Sequence, residues 1–312
     1  MNDLAIFSGR SHPALARSIA AHLEMPLGAC DIFDFSNENI FVRIQENVRS
    51  RDVFIVQSLC PPVNTNVMEL LIMIDAFRRA SAGRITAVVP YYAYGRSDKK
   101  DQPRIPISAR LLANLIETAG ADRVLTIDLH AGQIQGFFNI PVDEMTALYH
   151  IARYFEQRDL SDLTVLATDV GGEKRARNIA RLLGAPLAIV LKERIGNAER
   201  VNAQSLLGDV DGRRVLIVDD EILTGGTIME AAGIAFDHGA KSVMVACVHP
   251  FLSGSAVDRI CNSDIEELVI TDTIPLTPEK QHQKISVISV APLLGEAIAR
   301  INSGRSVGEL FQ

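Results

Sequence analysis

The stretch ARSIAAHLEMPL, residues 16–27, is repeated as ARNIARLLGAPL, residues 176–187, with seven of twelve positions identical at an offset of 160. Further similar pairs follow in the same order: residues 53–56 with 215–218, 68–69 with 229–230, and 88–90 with 248–250. One alanine-rich helix resembles another by chance, but an ordered series of matches indicates a tandem duplication. We therefore predict two domains, residues 1–145 and 146–312, with the final helix and tail expected to pack back on the first domain.

The pattern around these repeats defines the class of each domain. Short β-branched runs alternate with helical patterns rich in alanine and leucine, which predicts parallel sheets. Runs such as VLIV (215–218) and VMVACV (243–248) are apolar throughout, as expected for strands covered on both faces. The predicted strands are residues 52–57, 84–89, 123–128, 163–168, 214–218 and 242–248. The predicted fold class is α/β, with a mainly parallel sheet flanked by helices in each domain.

Composition and charge exclude several classes of protein. The chain has 312 residues, 47% of them hydrophobic, which is enough for about two globular domains. A formal net charge of −7 argues against a nucleic-acid partner, because phosphate backbones attract basic surfaces. The most apolar helical stretch, residues 67–77, is too short to span a bilayer and contains two acids. We expect no membrane association.

The cysteines and the N-terminus point to a reducing compartment. Cys30, Cys60, Cys247 and Cys261 show neither a CxxC pair nor a metal-finger spacing, so buried reduced thiols are expected. The start MNDLAIFSGRSHP lacks the basic and apolar regions of a secretory signal. The expected location is cytoplasmic.

The stretch VDDEILTGGT, residues 218–227, combines acids with a glycine turn between a strand and a helical pattern. Glycine lets the backbone approach an anion, threonine adds hydroxyl donors, and a helix N-terminus favours negative charge. Carboxylates would repel a phosphate, so they suit the hydroxyls of a sugar phosphate or a metal; a capped turn with solvated acids is the alternative. The candidate residues are Asp219, Asp220, Thr224, Gly225, Gly226 and Thr227. The first half has QSLCPPVNTN here, so we expect one such site per chain, placed between the two copies.

Two smaller groups of polar residues also follow predicted strands. His130 and Asp169 come after residues 123–128 and 163–168, and could share a metal at the domain junction, although a lone histidine is more often structural. Lys192 and Arg194 occupy alternate positions of an extended segment and could neutralise a transferring polyphosphate, although such charges are commonly only solvated.

Long stretches of the chain resemble the ribose-phosphate pyrophosphokinases, also called phosphoribosyl pyrophosphate synthetases. The similar stretches are FSNEN (35–39), MELLIMIDAFRRASAGRITAVVPYYAYGRSDKK (68–100), LLANLIETAGADRVLTIDLHAGQIQGFF (111–138), the loop VDDEILTGGT and the tail SVGELF (306–311). The resemblance covers essentially the whole chain, and it implies two tandem phosphoribosyltransferase-like domains.

The resemblance also implies a reaction and a set of site residues. In this family the β,γ-pyrophosphoryl group of ATP is transferred to the 1-hydroxyl of ribose 5-phosphate, which supplies nucleotide biosynthesis. Ribose 5-phosphate maps onto the acid and glycine loop, Mg²⁺ onto His130 and Asp169, and the cations that stabilise the transferring group onto Lys192 and Arg194. The implied ATP site consists of Phe35, Asn37, Asn39, Arg96, Ser97 and Asp98. Its aromatic loop comes from a neighbouring subunit, and the family forms dimers that assemble into hexamers.

Three positions depart from the family pattern. Leu223 stands where the family usually has Asp, Asn39 where it has Glu, and Ser97 where it has Gln. These departures motivate a second hypothesis, a catalytically weak paralogue that binds and regulates an active synthetase, since a fold can persist after its chemistry is lost. A phosphoribosyltransferase would share the loop, but neither the duplication nor the ATP segments suit it.

Overall fold

The chain forms two compact units. The computed structural model describes residues 3–193 and 203–311. The first unit comprises Met1–Thr146, Thr273–Pro275 and Ser289–Gln312, and the second comprises Ala147–Asp272 and Leu276–Ile288. The last segment therefore belongs with the first unit, although it follows the second along the chain.

The first unit is a parallel sheet with helices and a separate hairpin. Its sheet strands, numbered in chain order, are β1 (Leu4–Ser8), β4 (Asp52–Val56), β5 (Arg84–Val89), β6 (Arg123–Ile127) and β7 (Val142–Met145). These five strands are parallel and lie in the order β1-β4-β5-β6-β7. The antiparallel hairpin pairs β2 (Cys30–Asp34) with β3 (Ile40–Ile44). The helices are α1 (Pro13–His22), α2 (Val63–Arg79), α3 (Ser108–Ala119) and α8 (Ala291–Ser303).

The second unit has a larger sheet of the same kind. Its strands are β8 (Leu163–Ala167), β9 (Leu187–Glu193), β10 (Ala203–Leu207), β11 (Arg214–Ile222), β12 (Ser242–Pro250), β13 (Ile265–Thr271) and β14 (Ile285–Ile288). They lie in the order β10-β9-β8-β11-β12-β13-β14, and only β10 is antiparallel to its neighbour. The helices are α4 (Leu148–Glu156), α5 (Glu173–Leu183), α6 (Gly226–Asp237) and α7 (Ala256–Cys261).

The two sheets share one arrangement of strands. The order β1-β4-β5-β6-β7 in the first unit corresponds to β8-β11-β12-β13-β14 in the second, as a duplicated domain requires. In each unit the first of these strands leads into a helix and then into an antiparallel pair, β2–β3 or β9–β10. The pair stands apart from the sheet in the first unit and extends it in the second. The predicted α/β class, with mainly parallel sheets flanked by helices, is confirmed.

Strand β11 is longer than its apolar run predicts. The pattern predicts a strand over residues 214–218 with the acids just beyond it, but pairing continues to Ile222, with Asp219 opposite Cys247 and Glu221 opposite His249 of β12. Every residue of β12 is buried, as the apolar run over residues 243–248 predicts for most of the strand. The extension places the two aspartates on a rigid strand instead of a loop.

Among the described residues, no helix has both the length and the apolar character needed to cross a membrane.

Candidate active site

The turn from β11 into α6 has the geometry of an anion site. Gly225 caps α6 with a φ of 77°, a left-handed conformation that glycine adopts without strain. The helix begins at Gly226, and Thr224, Gly226 and Thr227 are exposed. Because the first N–H groups of a helix have no intrahelical partners, they can donate to a phosphate at this point.

The backbone before this turn is fixed by a neighbouring segment. The Leu252 N–H donates to the Ile222 carbonyl at 2.9 Å, and the Ser253 N–H donates to the Leu223 carbonyl at 2.7 Å. Leu223 is half-buried. Its backbone therefore has a defined structural role, whereas its side chain offers no polar group to a sugar.

The acid pair at the end of β11 is organised by two side chains from neighbouring elements. Arg175 of α5 approaches both acids, with Nη1 3.2 Å from Asp220 Oδ1 and 3.8 Å from Asp219 Oδ1. The Thr168 hydroxyl donates to Asp219 Oδ2 at 3.4 Å, and the Asp220 N–H donates to Asp219 Oδ1 at 2.9 Å. Arg175 cannot be identified from the sequence, because nothing in the pattern of α5 distinguishes it from the other basic residues of that helix.

Partial burial and the adjacent Asp220 make Asp219 an unusual carboxylate. Desolvation, followed by the hydrogen bond and negative charge of Asp220, raises its pKa to about 7, and the positive charge of Arg175 opposes the increase. Above neutral pH a carboxylate with this pKa is ionised and accepts charge-assisted hydrogen bonds from hydroxyl groups, and protonation removes that charge and leaves fewer acceptor sites.

The predicted metal residues lie in different units. Asp169 follows β8, is half-buried, and accepts the Gly172 N–H on Oδ1 at 2.9 Å. His130 is exposed and follows β6 in the first unit. Within residues 3–193 and 203–311, no group of three or more His, Cys, Asp or Glu side chains could hold a metal. A site shared by His130 and Asp169 stays a prediction.

The structure describes the backbone of only one of the two predicted cations, Lys192. Lys192 lies in β9, opposite Gln204 of β10, so this part of the chain is extended as predicted. Arg194 lies outside the described residues. The proposed role of both cations stays a prediction.

The aromatic loop of the predicted ATP site, residues 35–39, is the turn of the β2–β3 hairpin. The Phe35 N–H donates to the Asn39 carbonyl at 2.9 Å, and the Asn39 N–H donates to Asn37 Oδ1 at 3.2 Å. Phe35 is 49% exposed, and the centroid of its ring lies 5.4 Å from that of Phe33 and 5.6 Å from that of Phe41. The side-chain oxygen of Asn37 thus stabilises the turn. Phe35 presents an aromatic surface suited to stacking.

The second predicted ATP segment, residues 96–98, lies within the connection between β5 and α3. Ser97 is tied to its surroundings through its backbone, which donates to Tyr94 and accepts from Ala109. Asp98 is buried and accepts from Gln133 Nε2 at 2.7 Å. Arg96 precedes them in the same segment. Gln133 is not among the predicted site residues, because a single amide between two glycines has no distinguishing pattern.

Together, the parallel sheet and the turn into α6 indicate the class of protein to which the chain belongs. A strand that carries paired acids and leads through a glycine turn to a helix N-terminus can bind an anion at the helix and hydroxyl groups at the acids. The chain is accordingly of the phosphoribosyltransferase-like α/β class.

The comparisons with known proteins define the family. Residues 4–120 match the N-terminal domain of ribose phosphate pyrophosphokinase, and residues 186–312 match the phosphoribosyl synthetase-associated domain. The ribose-phosphate pyrophosphokinase of Caldanaerobacter subterraneus is 51% identical, and that of Oceanobacillus iheyensis 49% identical, each over 99% of this chain and 98% of the relative. The crystal structure of phosphoribosylpyrophosphate synthetase from Mycobacterium smegmatis superposes with a TM-score of 0.92 at 42% identity, covering 97% of this chain and 99% of that one.

This chain belongs to the ribose-phosphate pyrophosphokinase family. The resemblance identified from the sequence is confirmed.

Proposed function

We propose that this protein transfers the β,γ-pyrophosphoryl group of ATP to the 1-hydroxyl of ribose 5-phosphate. The products are 5-phosphoribosyl 1-pyrophosphate and AMP, and the first of these feeds nucleotide biosynthesis. The observation that carries the proposal is identity of about half of all residues, over the full length, with relatives named ribose-phosphate pyrophosphokinase.

The second unit supplies the ribose 5-phosphate site. The N–H groups at the start of α6, with the Thr224 and Thr227 hydroxyls, hold the 5-phosphate, because the helix dipole and unpaired donors favour an anion there. Asp219 and Asp220 accept hydrogen bonds from the ribose hydroxyls, and Arg175 reduces the repulsion between the two acids. The sugar is therefore held at both ends.

ATP is held by elements of the first unit. The Phe35 ring stacks on adenine, Asn37 and Asn39 border it, and the segment containing Arg96, Ser97 and Asp98 binds the nucleotide. Lys192 and Arg194 neutralise the charge that develops on the transferring group. Such transfer depends on positioning and charge neutralisation more than on covalent catalysis. The aromatic loop serves a neighbouring subunit, in dimers that assemble into hexamers.

The carboxylate of Asp169 fits magnesium that enters with the nucleotide. Mg²⁺ prefers oxygen ligands, keeps several waters, and is commonly bound by one or two carboxylates together with substrate phosphates. Asp169 offers a half-buried carboxylate whose Oδ1 is oriented by the Gly172 N–H, and His130 is exposed at the end of a strand. These two residues would hold the ion, which supplies charge neutralisation on the phosphate oxygens.

The test is production of AMP by the purified protein. With ATP, Mg²⁺ and ribose 5-phosphate we expect AMP and phosphoribosyl pyrophosphate in equal amounts. Lys192→Ala, purified identically, is the matched control: its kcat should fall by about 10²-fold or more, because one charge-stabilising donor is lost, and ribose 5-phosphate binding should persist. Equal activity in both samples would indicate a contaminating enzyme or a wrong role for Lys192. No AMP from the unaltered chain would favour the regulatory paralogue suggested by Leu223, Asn39 and Ser97.

A further inference from the structure

The β2–β3 hairpin depends on contacts outside itself for its orientation. It forms a two-stranded sheet that does not pair with the five-stranded sheet of its unit. Isolated two-stranded hairpins are marginally stable, and Phe33 and Phe35 of this one are about half exposed.

One end of the hairpin is fixed close to the sheet. The Gly28 N–H donates to the Ile6 carbonyl at 2.7 Å, and a Cβ at Gly28 would overlap the Phe7 ring. Beyond β3, Glu46 pairs with Arg51 at 2.8 Å and accepts the Ala29 N–H at 2.9 Å. These contacts lie at the opposite end of the strands from the turn at residues 35–39.

Arg10 links the turn end of the hairpin to α2. Its Nη1 and Nη2 donate to the two oxygens of Asp34, the last residue of β2, at 3.0 and 2.8 Å. Its Nε donates to Glu69 Oε2 at 2.6 Å. The fork of a guanidinium fixes both directions at once, which a lysine cannot do.

The other partner of Arg10 is itself firmly held. The Glu69 side chain is 1% exposed, and its Oε1 accepts from the Arg10 N–H at 2.6 Å and from Gln57 Nε2 at 3.0 Å. Asp34 and Glu69 raise the pKa of Arg10, and Arg10 lowers the pKa of Asp34, so the Arg10–Asp34 link is an ion pair at neutral pH. The hairpin is thus tied to a buried anchor.

We propose that Arg10 and Asp34 are positioning residues for nucleotide binding, holding the hairpin turn in the orientation in which Phe35 meets adenine. This inference rests on the proposed function, because it takes residues 35–39 as contacts of ATP. A turn ordered before the ligand arrives loses less conformational entropy on binding.

Asp34→Ala removes the Arg10–Asp34 ion pair and should change the rest of the fold little. Its ion pair is exposed, so its loss changes stability slightly, and Glu69 keeps its partner. Replacing Arg10 would instead leave the Glu69 carboxylate buried and without its cation, which is strongly destabilising. The matched control is Asp31→Ala, on the same strand, because Asp31 bonds to Arg43 and Gln45, within or directly beside the hairpin.

The expected result is a selective loss of nucleotide affinity. KM for ATP should rise about 3- to 10-fold in Asp34→Ala, the range expected from ordering one or two side chains on binding. KM for ribose 5-phosphate should stay within about twofold, Asp31→Ala should match the unaltered protein, and Asp34→Glu should recover part of the ATP affinity. Equal effects of the two alanine variants, or equal increases in both KM values, would overturn the proposal.

Hydrogen exchange separates this proposal from the proposed function. Amides of residues 35–39 should exchange faster in Asp34→Ala than in Asp31→Ala, whether or not the protein makes AMP. A normal exchange pattern in Asp34→Ala contradicts the link even if the enzyme is active. If the unaltered protein makes no AMP, the proposed function fails, and the affinities of the three proteins for a non-hydrolysable ATP analogue then decide whether the link orients the turn.

Discussion

At the scale of single residues, the proposed role of Asp219 in sugar binding conflicts with the stability of the fold. Its burial and the adjacent Asp220 raise its pKa to about 7, whereas an aspartate in an unfolded chain has its ordinary pKa of 3.8. The folded state therefore binds more protons than the unfolded state between these values, and the free energy of unfolding falls as pH rises through this window. Above it, the full cost of the buried charge is present.

Asp219→Asn should therefore stabilise the protein at alkaline pH and weaken sugar binding. We expect a gain of about 1–2 kcal/mol in the free energy of unfolding at pH 8, a fraction of the shift converted at 1.36 kcal/mol per pKa unit, decreasing toward pH 4. KM for ribose 5-phosphate should rise about tenfold or more, since a charge-assisted hydrogen bond is lost. Denaturant titrations at pH 8 and 5 measure the first effect and steady-state kinetics the second.

The exposed residue Asp101 provides the control for that change. Asp101→Asn should leave both the pH dependence of stability and KM unchanged. A stabilisation of Asp219→Asn that is the same at both pH values would show that charge burial is not its cause.

At this scale, residues of distinctive chemistry can be predicted from the sequence, whereas the side chains that hold them in place cannot. The acids at 219 and 220 stand out beside a glycine turn, so their pattern alone singles them out. Arg175 and Gln133, which bond Asp220 and Asp98, come from other elements and acquire a role only through packing. Arg10 is a further case, because its partners lie 24 and 59 positions away.

At the scale of elements, the turn into α6 requires glycine at one position only. Gly225→Ala should lower the free energy of unfolding by about 1–2 kcal/mol, because an L-residue is strained at a φ of 77°, and it should raise KM for ribose 5-phosphate. Gly233→Ala, inside the same helix, is the matched control. Its Cβ would meet no atom within 4 Å, so it should stabilise by about 0.5–1 kcal/mol. Thermal melts and kinetics measure both variants, and equal behaviour would contradict the strain argument.

The sequence pattern predicts the periodic elements better than their ends. The strand predicted over residues 84–89 has its observed bounds, whereas β11 continues four residues beyond its apolar run because its pairing with β12 outweighs the polarity of the acids. The hairpin β2–β3 is not predicted as a pair of strands. Its side chains are mostly half-buried or exposed, so its alternation of polar and apolar residues is weak.

At the scale of the whole molecule, the duplication makes the architecture predictable, since two similar halves must form two similar sheets. The place of the last segment is harder to specify. Helix α8 belongs with the first unit because of contacts between residues about 250 positions apart, such as that of Asn302 with Asp52. A pattern within a short stretch of sequence cannot predict a contact between residues so far apart along the chain.

We expect the buried carboxylate of Asp52 to hold the C-terminal end of α8 in place. Arg84 donates to both of its oxygens and also to the Ile301 carbonyl at 3.1 Å, and Asn302 Nδ2 donates to Asp52 Oδ2 at 2.8 Å. Asp52→Ala leaves Arg84 without its carboxylate, so we expect a loss of about 2–3 kcal/mol in the free energy of unfolding and faster hydrogen exchange in α8. Asp75→Ala, which removes the exposed pair with Arg79 on α2, should cost less than about 0.5 kcal/mol. If α8 exchanged at the same rate in both variants, the end of that helix would be held by its apolar contacts alone.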